Sequence, residues 1–444
     1  ARRLADRQVQ AVVAELDQDD PGWRLPDIEA QRPALPDDQN STPHVLATAK
    51  LLPPRWLAPT PPTDTSVIDQ LVDDPPPPER QLSEGQVRDL REELRELDAA
   101  LREARPLAEL PYGRSNIHWN LNYLDTSLGK ASDRRAVARL LVLEAMLQAQ
   151  DKDADGACVS VRAALNAGRS FGDQCGLIGC WARTGITIMA VQQLERVLAQ
   201  GEPGDDALAD MQRLLSLEER EDPESLTTVV REQRALTHRL LEAIENGQLH
   251  LLPVLDRKPL TPYRRVYEFF AGAMVRRSDA FCLRKETEAV AITRLPTEEQ
   301  DDAVRRWTAE PPDPRADLGR LIPAMRRVVE RHLEELAYLR CAGVALALER
   351  YRRKHHGWPE RPEDLLRERL LGAIPRDPYT GDKLRVLRLA DRWGIYSAGP
   401  DRQDNGGAMD RKDPTAPGTD LGFRLWNVSR RRQPALPQAK EQGE

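Results

Sequence analysis

Apolar residues recur at helical spacing along most of this chain. Val87, Leu90, Leu94, Leu97 and Leu101 follow one another at intervals of three and four, drawing one stripe down a helix that ends near Pro106. Ser83-Glu84-Gly85-Gln86 opens it as a capping box, with Gln86 reaching back to Ser83. A core-facing helix and a short dimerising coiled coil both fit, and so short a stripe favours the first. A second capped helix starts at Ser132 and runs through Leu140, Leu141, Leu143 and Met146. Further helices are predicted over 154–166, 178–198, 205–217, 225–244 and 263–278. A long one over 318–353 would bend at Pro323. The predicted fold class is mainly α: a helical bundle or helical-repeat-like body over 83–317, with no fixed-period repeat.

The two ends break this pattern. Leu4 to Leu16 reads as a short helix that stops at Asp20-Pro21-Gly22. Prolines then recur up to Pro75–Pro78, so 1–82 is predicted as an extended N-terminal segment, wrapping a surface or serving as a stiff linker. After Tyr351, Gly and Pro become frequent, and two strand-like runs, Leu384–Leu389 and Trp393–Tyr396, flank Asp391 and Arg392. A loop to about Asp420 and a last strand, Phe423–Val428, complete a small α+β head over 318–428. Residues 429–444 are predicted as a disordered tail.

Composition narrows the function classes. A chain of 444 residues exceeds one ordinary core. Net charge is -7 with both signs interleaved, which gives no general attraction to nucleic acid. The one compact basic run, Arg430–Arg432, is expected in a solvated tail. Cys158, Cys282 and Cys341 suit core positions, while the spacing of Cys175 and Cys180 fits neither a CxxC pair nor a zinc knuckle. No run reaches the roughly 18 apolar residues of a membrane span. The chain opens Ala1-Arg2-Arg3, which would suit an anchor or signal upstream, the only expected route to a membrane.

Three ordered motifs carry a family resemblance. Tyr351 is followed by His355-His356-Gly357-Trp358-Pro359; then comes Ile374-Pro375-Arg376-Asp377-Pro378-Tyr379-Thr380-Gly381; then Tyr396-Ser397-Ala398-Gly399-Pro400-Asp401 with Asp404-Asn405-Gly406-Gly407. This order resembles the globular head of type II secretion major pseudopilins, over about a fifth of the chain. The resemblance implies a pseudopilin-like head with calcium in the acidic loop. Asp401, Asp404 and Asn405 supply hard oxygens within five residues, glycines let carbonyls turn inward, and Asp410, Asp413 and Asp420 offer further carboxylates. A solvated acidic loop shaped only by turn residues is the alternative. The chain departs from the family in three ways. Arg402 stands where the family has Gly, and the loop is longer, with Pro414 and Pro417. The preceding helix carries Arg326, Arg327, Glu330, Arg331, Glu334 and Glu335, which rules out a fibre-core role.

Other motifs read as structure. Asp151-Lys152-Asp153-Ala154-Asp155-Gly156 opens like an EF-hand loop but has Arg162 where a bidentate Glu belongs; a helix cap explains it. Gly168-Arg169-Ser170-Phe171-Gly172 matches a nucleophile elbow without the strand before it. His355 and His356 are adjacent and point to different sides. The expected function is a non-catalytic, envelope-associated structural or protein-interaction protein with a calcium-stabilised head and an unidentified protein partner. The alternatives are a hydrolase with its site in the helical body, using Ser170 or scattered carboxylates, and a metal-free helical adaptor. Location is expected in the cell envelope or periplasm, with the cytoplasm as the alternative.

Overall fold

The computed structural model describes residues 2–57, 67–115, 117, 119–122, 131–172, 176–249, 264–309 and 325–437. The chain is mainly helical, with a small three-stranded antiparallel sheet near its C-terminus. The first five helices are α1 (Arg2–Asp19), α2 (Leu25–Ala30), α3 (Thr42–Leu51), α4 (Pro54–Leu57) and α5 (Val67–Asp73). The N-terminal segment is therefore not an extended linker. Its prolines at 26 and 43 sit in the first turns of α2 and α3, where a missing N–H breaks no helical bond. Val45, Ala49, Trp56 and Leu71 are buried in the main core, and the segment is a layer of the fold.

The body follows as α6 (Glu84–Glu96), α7 (Asp98–Ala104), α8 (Ala131–Gln150), α9 (Ala154–Arg169), α10 (Gly176–Gln200), α11 (Asp205–Glu245), α12 (Arg264–Thr293) and α13 (Thr297–Ala309). The capping box at α6 forms: Gln86 N–H donates to Ser83 Oγ at 3.2 Å, and Ser83 N–H donates to Gln86 Oε1 at 2.9 Å. Leu90, Leu94, Leu97 and Leu101 are buried in the chain's own core, which leaves no stripe for a coiled coil. The two helices expected over 205–217 and 225–244 are one, running through the proline at 223. An interior proline loses one backbone hydrogen bond. Burial of Leu214, Leu215, Leu226, Val229 and Val230 along the same helix offsets that loss.

Helix α14 (Met325–His355) is the central strut, and α15 (Asp364–Arg367) is a single turn beyond it. The expected bend at Pro323 lies outside the described residues. From Leu333 to Leu348 its apolar side chains are all buried, facing both the body helices and the sheet. One apolar core runs from Val45 to Leu425 without a break at residue 318. The sheet pairs β1 (Arg385–Arg388), β2 (Arg392–Ser397) and β3 (Leu421–Trp426) in that order. Trp393 stands opposite Leu425 and Ile395 opposite Phe423, so one face packs on the core. Tyr396, Arg424 and Trp426 alternate to the other face.

The basic run after β3 is not a solvated tail. Arg431 is buried, and its guanidinium meets Glu349 of α14 at 2.8 and 3.0 Å. Arg432 donates to the carbonyls of Ala149, Gln150 and Gln200, and Gln433 pairs through its backbone with Glu79 and Gln81. Compensation of buried Glu349 explains the burial of Arg431: an acid inside a helix core needs a counter-charge. No helix among the described residues is long and apolar enough to cross a membrane.

Candidate functional site

The loop from Ser397 to Leu421 carries every predicted ligand. Gly399, Gly406 and Gly407 take φ of +70°, +68° and +79°, and a Cβ at Gly407 would come within 3.3 Å of the Tyr396 ring. Arg402, at the position where the resembled family has glycine, is also left-handed, at φ +59°. Its guanidinium ties the loop to α13 through Asp302 at 2.8 Å and Asp301 at 3.4 Å.

The fold gathers four of the six predicted residues. Asp401 accepts the N–H of Gln403 at 2.9 Å and of Gly418 at 2.8 Å, with the Asn405 amide at 3.4 Å. Asp420, almost fully buried, accepts the N–H of Asn405 at 3.3 Å and of Gly407 at 2.7 Å. Asp404 accepts from Gly406 N–H, the Tyr396 hydroxyl and Arg385 Nε at 2.9, 3.0 and 3.1 Å. Asp410 and Asp413 stand apart in a turn of their own, where Asp410 accepts the N–H of Lys412 and Asp413.

These contacts set the charge states. The Gly406 N–H, helped by Tyr396 and Arg385, holds the Asp404 carboxyl below its usual value. Burial alone would raise Asp401, but the N–H groups of Gly418 and Gln403 outweigh it and lower it. Burial raises Asp420, the N–H donors oppose it, and the neighbouring Asp404 charge adds to the rise.

Calcium needs six to eight oxygens directed at one point. The donor chemistry here fits, and the carboxylates are already engaged within the protein. All six carboxylate oxygens of Asp401, Asp404 and Asp420 face N–H or guanidinium donors. No group of three or more His, Cys, Asp or Glu among the described residues is arranged to hold an ion. As they stand these residues close a loop.

Beside the loop lies a tighter knot. Asp377, fully buried, accepts the N–H of Tyr379 at 2.9 Å, the Ser397 hydroxyl at 2.7 Å, the N–H of Ala398 at 2.8 Å and Arg385 at 3.0 Å. One carboxylate thus joins the Pro375–Gly381 turn, the end of β2 and the start of β1. The motif contained Asp377, yet its role as a hub was not legible, because its partners come from later strands.

The remaining motifs are structural. Asp153 caps α9, accepting Gly156 N–H at 2.9 Å; Asp151 pairs with Arg91, Asp155 accepts Gly204 N–H, and Arg162 pairs with Asp210. Ser170 is fully buried at the end of α9, where its hydroxyl donates to the Ala167 carbonyl at 2.7 Å and accepts from Arg134 Nε at 3.0 Å. His355 faces Glu368 at 3.4 Å and Tyr351. Cys158, Cys282 and Cys341 are buried thiols, and burial pushes Cys158 up to about 12. Cys175 lies outside the described residues.

Two buried charge clusters have no motif. Glu218 of α11 lies between Arg169 and Arg183, which it meets in ion pairs, with Arg183 Nε at 2.8 Å. Burial would raise its carboxyl, but the two arginines hold it at about 2. His238 of α11 meets Asp279 of α12 at 2.9 Å under Trp23, with Glu242 at 3.6 Å. The arginines of Glu218 and the Asp279 of His238 sit 35 to 49 residues away, beyond any local pattern. No protein-family model, curated protein or solved structure matches this chain.

Proposed function

We propose that this is a non-catalytic structural or protein-interaction protein of the cell envelope, with a C-terminal unit built on the plan of a pseudopilin head. The observation that carries this reading is the convergence on Asp377. Two of the three motifs behind the resemblance, twenty residues apart, meet at one buried carboxylate. Chance recurrence of turn residues has no reason to place them together. The buried, doubly bonded Ser170 weighs against a hydrolase. The envelope location rests on the resemblance alone. Fractionation of source cells after chemical crosslinking tests the whole reading. The chain is expected with the envelope, in species larger than one copy; a cytoplasmic, uncrosslinked monomer would sink it.

A calcium-stabilised head remains as a second reading, favoured by one observation: Asp404 and Asp420 load neighbouring negative charge into the loop. A cation that re-aimed them would relieve it. Calcium at about a hundred times its Kd would then stabilise the full chain by roughly 2.7 kcal/mol. Asp420→Asn would remove the effect. An unchanged melting temperature in millimolar calcium leaves the metal-free adaptor.

A further inference from the structure

The extra length of the acidic loop builds something other than a metal site. Met409, Arg411 and Lys412 form one wall of an open groove of about 980 Å³. The facing wall is the proline strap from Asp74 to Arg80, and the floor is Arg424 and Trp426 on the outer face of β3. The strap is fixed from beneath. Arg196 of α10 donates to the carbonyls of Pro76, Pro77 and Arg80 at 3.1, 3.4 and 2.9 Å, and Gln200 donates to that of Pro78 at 2.7 Å. Lys412 reaches across to Asp74 at 2.8 Å, an exposed pair that links the walls.

The groove is lined by more cations than it neutralises. Arg80, Arg392, Arg411, Lys412, Arg424 and Arg430 face four acids. Of those acids, Asp74 is taken by Lys412, Asp391 by Arg392 at 2.9 Å, and Asp410 by backbone N–H groups. Arg411 carries the same charge as Arg196 under the strap and Arg424 of the floor. Burial pushes Arg196 down to about 10 and lowers Arg424; Arg411 adds to both shifts, while Glu195 opposes that of Arg424 and Glu79 opposes both. Glu195 is the buried carboxylate that answers this cluster, meeting Arg411 at 2.7 Å. Clustered, partly desolvated cations favour an anion that completes them.

We propose that this groove binds an extended acidic segment of a partner protein, with its carboxylates on Arg411, Arg424 and Arg430. The size of the groove and the spread of cations over two walls and the floor favour several charges in a row over one small anion. The prolyl rings of the strap give such a segment an apolar side to lie against. This inference names the partner chemistry of the interaction role above and rests on that reading.

Fluorescence anisotropy of the full chain with labelled octaglutamate tests it, with octalysine and inorganic phosphate as controls. Octaglutamate is expected to bind and to weaken as salt rises, and octalysine is expected not to bind. Arg411→Gln with Arg430→Gln should weaken binding about tenfold or more. Lys412→Gln, at the exposed rim and without risk to the fold, should weaken it about two- to fivefold. Absent octaglutamate binding, or affinity unchanged in these variants, overturns the proposal. So does displacement by phosphate at matching concentration, which would mark a small-anion site. Neither outcome alters the result of crosslinked fractionation, so the groove and the broader reading fail separately.

Discussion

The head and the body both bury acids, and they hold them differently. In the head, buried Asp420 and half-buried Asp401 are held by backbone N–H groups, and buried Asp377 by two backbone N–H groups together with Ser397 and Arg385, all within about twenty residues. On the long helices, Glu218 is held by arginines 35 and 49 residues away, Glu349 by Arg431, 82 residues away, with Arg352 of its own helix, and Glu335 by Thr184, 151 residues away. The difference follows from where spare donors exist. A turning backbone, opened by glycine, offers free N–H groups. A helix spends its N–H groups on itself, so a buried acid on a helix must be met by a side chain, from its own next turn or from another element. Loop acids thus draw on nearby backbone, and helix acids on side chains that are often remote in sequence.

Variants can break this comparison, beginning with the body. Glu218→Gln leaves buried Arg183 without its counter-charge and Arg169 with only the more exposed Glu221, and is expected to cost about 3–5 kcal/mol in chemical denaturation. The wild-type pair also sets an acid limit. With the folded carboxyl at about 2 against 4.5 normally, its contribution is complete above pH ~4.5 and disappears as pH falls towards 2. A Glu218→Gln protein as stable as wild type at pH 7 would show that the arginines do not need it. Arg431→Met should cost about 2–4 kcal/mol, less because Arg352 still reaches Glu349 at 2.7 Å. In the head, Asp377→Asn presents an amide to N–H donors and should cost about 1.5–3 kcal/mol by thermal melting. Asp401→Asn, in an exposed turn, should cost no more than about 1 kcal/mol. A loss there equal to that of Glu218→Gln would erase the distinction.

The smallest test uses pH alone. Burial opposes charge on His238, but Asp279 outweighs it, with Glu242 adding and Arg24 opposing, so its folded value is raised. A raised value gives stability that is complete below the ordinary pKa of about 6.5 and is lost as pH rises through the folded one. His238→Gln should flatten the stability profile on that alkaline side. A profile that keeps its slope would place the titrating group elsewhere.

The same divide decides what the sequence made legible. The Ser83 capping box, the leucine stripe, the β1–β2 hairpin and the glycine-shaped loop each depend on neighbours, and each was readable. The short helices of the first 82 residues were not, because Pro26 and Pro43 look alike whether they break a helix or begin one. The continuity of α11 through residue 223 needed burial on both sides of the proline. Arg430–Arg432 read as a solvated run because nothing near it in sequence announces Glu349. Of the six predicted loop ligands, four gather and Asp410 and Asp413 do not. Composition could mark all six as acidic or amide, but only the path of the chain could say which way each one faces.

The seam between Gln81 and Gln433 sets an order of events. The side chain of Gln81 donates to the Arg432 carbonyl, a partner 351 positions further along the chain. At about 5–20 residues per second, a ribosome emits the strap roughly 20–70 s before that partner exists. For that interval residues 79–81 wait without the bonds that Arg432 and Gln433 supply, and the edge of the strap closes only when that late segment arrives.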